Sequence, residues 1–481
     1  MKDHVAAPKE VSPSLGLSIT VFVICAFSIG FSVLHYHVDA HIPMLFSGVV
    51  CATAGLFILK MPWKDIEQGI INGIKTALLP IIILMTVGLL VASWIAAGTV
   101  PTLIYYGLHI LSPKFFLLAS VVLCAIVSLA TGSSWTTAGT VGLALMGIGG
   151  AMGIPLPMIA GAVVSGAYFG DKMSPLSDTT NLAPAVAGGE LFDHIRAMMW
   201  TTVPTFCIAA VIYTVMGLKF GGDLATSESI NQILTTLTNT YSIGLIPMIP
   251  PAFVLLASIK RMPALPALIV GIALACIIAV LVQGVVFKDL ISMIHYGYES
   301  NTGIKVVDKL LSRGGLDHMM WTISLILCAL SFGGIMEKCG FLSSILKGLG
   351  KVIAKPSSLV GTTIVSGVMS NIFLGDQFLG IILSGRTLKP AYDKMGLAPR
   401  MLSRTLEDSA TLSSALIPWT ACGAYMYGVL GVETFSYAPY ALVNWMCPIV
   451  SYLMTVLGIG IFWKKTTEDA PVDAKMEAAG N

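Results

Sequence analysis

Runs of about twenty apolar residues, enough for a helix to cross a hydrocarbon core of roughly 30 Å, recur along the whole chain. They fall near 14–34, 42–59, 77–97, 115–130, 156–170, 195–217, 240–258, 264–285, 318–336, 358–374, 411–428 and 436–462, with shorter pieces at 136–149 and 377–387. The runs are continuous Leu, Ile, Val, Ala, Phe and Met, not the alternating ten-residue segments of a membrane barrel. With 56% hydrophobic and 11% charged residues over 481 positions, too little polar surface exists to cover a soluble globule. The expected fold is an all-α polytopic membrane protein. The polar stretch before the first run lacks a small-residue cleavage pattern, which predicts a retained helix rather than a signal peptide.

The apolar pattern also repeats itself at an offset of 243 residues. Pro113 falls on Pro356, Gly132 on Gly375, Met152-Gly153 on Met395-Gly396, Met158 on Met401, Pro175 on Pro418 and Ser177 on Thr420; with one residue of slippage, Gly98 pairs with Gly340. Two halves, each broken by Gly, Pro, Ser and Thr inside an apolar stretch, point to a secondary transporter whose site lies between the repeats.

Lys and Arg mark cytoplasmic loops. Lys2 and Lys9 precede the first run, His35 to His41 carries no Lys or Arg, and Lys60, Lys64 and Lys75 follow the second run. This places the N-terminus inside, and Lys464-Lys465 places the C-terminus inside too. The stretch 386–400, read as a loop, has Arg386, Lys389, Lys394 and Arg400, whereas its counterpart 143–157 has no charge. Equivalent loops facing opposite sides would make the repeats inverted, with the short pieces as re-entrant hairpins. The expected organisation is a cytoplasmic segment 1–13, a first repeat half 14–217, a connecting transmembrane region 218–285, a second half 286–462 and a disordered cytoplasmic tail 463–481.

Several chemistries are excluded. The nine cysteines stand singly with no CxxC, so neither a zinc site nor a disulfide framework is predicted. Gly348-Leu349-Gly350-Lys351 lacks the spacing of a phosphate loop. A net charge of +2 gives no nucleic-acid signal. No cofactor is expected, and the chain is not expected to be an enzyme. An intramembrane aspartyl protease would need two carboxylates sharing a proton, and neither the repeat nor the many Ser, Thr and Asn oxygens serve that chemistry.

The residues that carry chemistry lie at the breaks. Pro175 interrupts the run ending Asp171-Lys-Met-Ser174, and Ser177-Asp178-Thr179-Thr180-Asn181 follows. Broken helices survive at membrane depth only where protein or a polar cavity serves the freed backbone groups. The second half supplies Asn371, Gly375-Asp376, Glu407-Asp408 and Pro418-Trp419-Thr420, and the repeat sets Asp376 on Ser133 and Ser414 on Asp171. Hard oxygens with one or two carboxylates suit Na⁺, and an intramembrane acid is a functional candidate by default. Asp171, Asp376, Glu407, Asp408 and Asp178 are therefore the candidate ion-binding and proton-coupling residues. Ser174, Thr179, Asn181, Asn371 and Ser133 are supporting oxygens, with Asp171, Ser174 and Asp376 as the Na⁺ ligands. Simpler roles compete: Asp171 paired with adjacent Lys172, Asp376 and Asp178 as helix caps, and Glu407-Asp408 neutralised by Arg404. Glu190, Asp193, His194 and Arg196 read as a solvated loop. One acid that holds either a proton or Na⁺ gives exchange without covalent chemistry.

The segments Gly170-Asp-Lys-Met-Ser-Pro-Leu-Ser-Asp-Thr-Thr-Asn181, Arg404-Thr-Leu-Glu-Asp408 and Pro418-Trp-Thr-Ala-Cys-Gly423 resemble the NhaC family of sodium/proton antiporters over nearly the whole chain. The resemblance implies the bacterial inner membrane, inverted repeats with re-entrant hairpins, and Na⁺/H⁺ exchange by alternating access. It also admits a branch that couples these ions to malate and lactate, in which Arg404 or Arg386 would hold a carboxylate through its guanidinium fork. The expected partners are Na⁺, H⁺, the lipid bilayer and, in that branch, small carboxylates, with a homodimer left open.

Overall fold

The computed structural model describes residues 13–36, 38–220, 227–349 and 355–464. Lys2, Lys9, His37, Gly350-Lys351 and the tail from Lys465 onward, all used in the sequence argument, lie outside the described residues. Among the described residues the chain is helical without strands, apart from one isolated antiparallel bridge between Leu397 and Trp463. Eight helices are long and apolar enough to cross a membrane, and the protein is a multi-pass membrane protein. These eight match eight of the twelve expected runs. The other four differ for local reasons. The 156–170 run is a helix, Leu156–Met173, with Asp171 and Lys172 in its last turn. The 240–258 and 436–462 runs shorten to Ile246–Ile259 and Leu442–Val456, and the 411–428 run breaks at Pro418.

Two stretches read as loops, 386–400 and 143–157, are largely helical, and the charged stretch 286–317 at the start of the expected second half also contains helices. Residues 386–394 continue the helix Gln377–Lys394 through Pro390, residues 143–151 form Leu143–Ala151, and 286–317 contains Phe287–Tyr296 and Lys305–Leu311. In 386–400 and 286–317 most of the charges sit within helices, since Lys and Arg are good helix formers, and 143–151 is an apolar helix of nine residues.

Nine helices frame the polar centre: α1 (Phe116–Thr131), α2 (Leu156–Met173), α3 (Asp178–Ala187), α4 (Leu191–Leu218), α5 (Pro356–Leu374), α6 (Gln377–Lys394), α7 (Pro399–Leu406), α8 (Ala421–Leu430) and α9 (Leu442–Val456). Their boundaries keep the 243-residue offset. α1 and α5 both stop one residue before Gly132 or Gly375, α2 and α7 start at 156 and 399, and α3 and α8 span 178–187 and 421–430. The causes are alike too. Gly132 and Gly375 adopt φ 70° and 72°, a left-handed conformation that favours glycine and ends a helix. Ser133 and Asp376 then stand in extended backbone and cap the next helix, accepting from the amides of Thr136 (3.2 Å) and Leu379 (3.0 Å). Pro175 forces the preceding Ser174 into extended backbone, and α3 opens after Ser177. At the matching place Thr420 caps α8 by accepting from the Gly423 amide at 3.0 Å.

Candidate functional site

The broken ends of α2 and α3 from the first half meet α5, α6 and the α7 continuation from the second. α7 widens into a π-turn over Glu407–Thr411 before one further turn, Leu412–Ser414. A wide turn holds an extra residue per turn and spoils the usual pairing of carbonyls. It places Glu407 and Asp408, both fully buried, at a point where the helix is already irregular.

Asp171 accepts from both the Ser134 hydroxyl (2.6 Å) and the Ser134 amide (3.1 Å) through Oδ2. It does not pair with Lys172. Adjacent helical residues point about 100° apart, and Lys172 instead donates from Nζ to Asp408 Oδ1 across the two halves. That carboxylate oxygen also receives the Thr201 hydroxyl (3.1 Å) and the Cys447 thiol (3.3 Å), while Arg404 Nε stands 3.8 Å from Oδ2. Lys172, Arg404 and Asp408 are all fully buried. Lys172 and Arg404 thus both face Asp408, and Glu407 is the adjacent acid in the chain. Neither Glu407 oxygen has a hydrogen-bond partner among the described residues, although Thr179, Thr411, Asp171 and Lys172 all lie close enough to influence its charge.

The other candidate oxygens fall into two groups. Thr179 is buried and its hydroxyl is 3.1 Å from that of Ser177. Ser174 Oγ accepts from the Leu176 amide at 3.3 Å. Asn371 is buried and donates to the Ala410 carbonyl (2.6 Å) and the Ser413 hydroxyl (2.8 Å), while its own Oδ1 is unpartnered. Asp376 is 4% exposed and caps α6, and Ser133 caps the equivalent helix. In contrast, Asp178 is exposed in the first turn of α3, and Asn181 is exposed and ties back to the carbonyls of Pro175 (2.9 Å) and Ser177 (2.7 Å).

Several contacts within one half are repeated within the other at the 243-residue offset. Asp171 receives Ser134, and Ser414 donates to Gln377 Oε1 at 3.1 Å. Ser128 donates to the Ala167 carbonyl at 2.6 Å, as Asn371 does to that of Ala410. Ser165, the counterpart of Asp408, binds the Tyr213 hydroxyl (2.8 Å) and the Val443 amide (3.2 Å).

Sequence reasoning did not anticipate Lys172 as the partner of Asp408, nor the roles of Ser134, Gln377, Thr201 and Cys447. A lysine inside an apolar run was itself the available signal. His194, assigned to a solvated loop, is fully buried in α4 with Nδ1 2.8 Å from the Ser403 hydroxyl. Glu190, Asp193 and Arg196 are exposed or nearly so around it. Among the described residues no group of three or more His, Cys, Asp or Glu side chains is arranged for a metal ion. A single carboxylate with neutral hydroxyl and carbonyl oxygens remains a suitable set for Na⁺.

A model of the Na⁺/H⁺ antiporter family matches residues 166–459, which takes in every acid of the site. The Na(+)/H(+) antiporter NhaC of Alkalihalophilus pseudofirmus is 40% identical over 453 residues, covering 94% of this chain and 97% of its own. The malate-2H(+)/Na(+)-lactate antiporter of Bacillus subtilis is 37% identical over 407 residues, with 85% of this chain and 87% of its own covered. The arginine/ornithine antiporter ArcD of Halobacterium salinarum is 36% identical over 475 residues, 98% of this chain and 97% of its own. Sequence, broken-helix site and relatives agree, and the chain belongs to the Na⁺/H⁺ antiporter family, within its NhaC group.

Proposed function

We propose that this protein exchanges Na⁺ for H⁺ across the bacterial inner membrane by alternating access, with its two halves related by inverted topology, re-entrant hairpins at 132–133 and 375–376, and both termini cytoplasmic. The observation that carries the reading is Glu407, a fully buried acid with no hydrogen-bond partner among the described residues. An isolated carboxylate in such a place is stable only when protonated or when a cation sits on it. Proton and Na⁺ therefore compete for one group. Asp171, Thr179, Thr411 and Ser174 are the oxygens that would complete a Na⁺ shell with Glu407. Asp376 would serve from the second hairpin.

Asp408 takes a different role in this reading. Held by Lys172 and Arg404, it is the fixed counter-ion that keeps Lys172 in the site. Lys172 then offers a buried positive charge that opposes Na⁺ when Glu407 is neutral and favours the ionised Glu407 when Na⁺ leaves.

The test is internal pH in proteoliposomes after a Na⁺ jump, with and without malate or lactate. Na⁺ alone is expected to move protons, and Glu407→Gln is expected to stop it. Movement only in the presence of an organic acid would overturn the reading in favour of an organic-acid-coupled exchanger, which the malate/lactate relative supports. Arg404 gives that alternative little help. Its guanidinium already donates to the Gly460 carbonyl at 2.8 Å.

A further inference from the structure

The chain does not leave the protein after α9. Gly458 and Gly460 take φ 76° and 67°, turning residues 461–464 back across the start of α7. There the Ala398 amide donates to the Phe462 carbonyl and the Lys464 amide to the Gly396 carbonyl, each at 2.8 Å, forming the one bridge between Leu397 and Trp463. Lys464 Nζ reaches Asp393 at 2.9 Å. The strap is therefore pinned by backbone and by charge to the 393–398 segment.

Its inner edge touches the site. Arg404 Nη1 donates to the Gly460 carbonyl at 2.8 Å, and the Phe462 ring lies 4.5 Å from the Arg400 guanidinium carbon and 5.5 Å from that of Arg404, within cation–π reach. The remaining contacts of Arg404 are Met401 Sδ at 3.4 Å and Asp408 Oδ2 at 3.8 Å. A fully buried guanidinium needs its donors served, and Gly460 is the acceptor from outside its own helix. The strap thus divides Arg404 between a backbone carbonyl and Asp408, and Asp408 is divided between Arg404 and Lys172.

We propose that residues 458–464 are a positioning element for ion exchange, in which the Gly460 carbonyl and the Phe462 ring keep Arg404 from closing fully on Asp408. This rests on the exchange reading above. If the strap lets go, Arg404 moves onto Asp408, Lys172 loses part of its counter-charge, and its positive field falls more strongly on the Glu407 site and opposes Na⁺. A shift of one charge over several ångströms in a protein interior changes cation affinity by roughly three- to tenfold.

Two glycines make the test specific. A Cβ on Gly460 would stand 3.2 Å from Arg404 Nη1, whereas a Cβ on Gly458 would meet nothing within 4 Å. Both alanine variants carry the same left-handed strain, so what separates them is the close approach to Arg404, the Trp200 Cβ at 3.8 Å and the Met454 Cε at 3.9 Å being ordinary van der Waals contacts. The readouts, on the full-length protein, are the Na⁺ concentration for half-maximal exchange, its pH profile, and the Na⁺ midpoint for thermal stabilisation. Gly460→Ala and Phe462→Leu should raise both Na⁺ midpoints roughly three- to tenfold with near-normal maximal rate, and Gly458→Ala should leave them unchanged. Equal behaviour of the two glycine variants, or an unshifted Phe462→Leu, overturns the proposal; if Gly460→Ala does not fold, Phe462→Leu decides. Because the thermal readout does not need exchange, a wild-type protein stabilised by Na⁺ but moving no protons would sink the exchange reading while the strap is still decided by its midpoints.

Discussion

The helix after the break of α2 and the helix after the break of α7 share their boundaries, and each break has a hydrogen bond to the start of a neighbouring helix, yet the two carry different chemistry at matching positions. Where the first half has Val164 and Ser165, the second has Glu407 and Asp408. Where the first has Asp171 and Lys172, the second has Ser414 and Ala415. The backbone plan comes from glycine, proline and caps, which are cheap to duplicate. The charges come from substitutions within that plan, and one pair of them, Lys172 and Asp408, joins the two halves. A scaffold of this sort separates two problems that a single unrepeated bundle must solve together: holding irregular backbone in the membrane, and choosing where the unbalanced charge sits.

That comparison can be broken most forcefully at the pair that crosses it. Lys172→Met strips Asp408 of its main partner, and loss of one member of a buried pair costs about 3–5 kcal/mol. The variant should melt far below the wild type, and adding Asp408→Leu should recover at least half of the loss in thermal unfolding. Similar melting of single and double variants would mean that Lys172 and Asp408 are not coupled. Next comes Asp171→Asn, which weakens the charge-assisted bonds from Ser134 and should cost about 1.5–3 kcal/mol while removing Na⁺-driven proton movement. Glu407→Val copies the first-half residue into the second half. Since Glu407 has no partner to lose, the variant should be as stable as the wild type or more so, yet inactive in the proteoliposome assay; a destabilised variant would show that Glu407 has a structural partner.

Smaller effects sharpen the same contrast. Asp376→Ser gives the break after Gly375 the capping residue found after Gly132. Serine caps a helix about as well as aspartate, so stability should change by less than about 0.5 kcal/mol, against about 1 kcal/mol for Asp376→Ala. Retained exchange in Asp376→Ser would reduce Asp376 to a cap. The smallest effect concerns the exposed end of the strap, where the hydrogen bond from Lys464, and then Lys389, holds the Asp393 carboxyl below its ordinary 3.8. A depressed folded value means that the contribution exists above the unfolded value and is lost as pH falls through the folded one. Thermal stability of the wild type should therefore drop slightly more than that of Asp393→Asn when pH is taken from 5 to below about 3.5.

Much of the membrane fold could be read directly from residue order. Eight of the twelve expected runs became helices of spanning length, because twenty apolar residues with few charges have hardly another solution in lipid. The breaks at Gly132, Pro175, Gly375 and Pro418 were equally legible, since glycine in left-handed backbone and proline's effect on its predecessor act within a residue or two. The acids proposed for the site stand out for the same reason: a carboxylate in an apolar run is conspicuous. What could not be read was partnership. Lys172 was matched to Asp171 by adjacency, while its partner lies 236 positions away, on a helix whose rotation depends on packing between halves. The wide turn at Glu407 was also invisible, since no residue type announces it.

The wide turn itself has an arithmetic outcome. Residues 399–414 and 156–171 are matched one for one, but five of the former lie in a π-turn and their helix ends at Ser414, whereas the latter belong to an α-helix that runs unbroken to Met173. The same number of residues thus advances less far along one axis than the other, and their side chains are dealt out at different azimuths. Removing one residue from 407–411 would let the wide turn close into ordinary α-helix, whereas removing one from the regular turns of α7 would rotate everything after it by about 100°, carrying Ser413 and Ser414 off Asn371 and Gln377. Shortening the wide turn by one residue should therefore be better tolerated than shortening α7 by one.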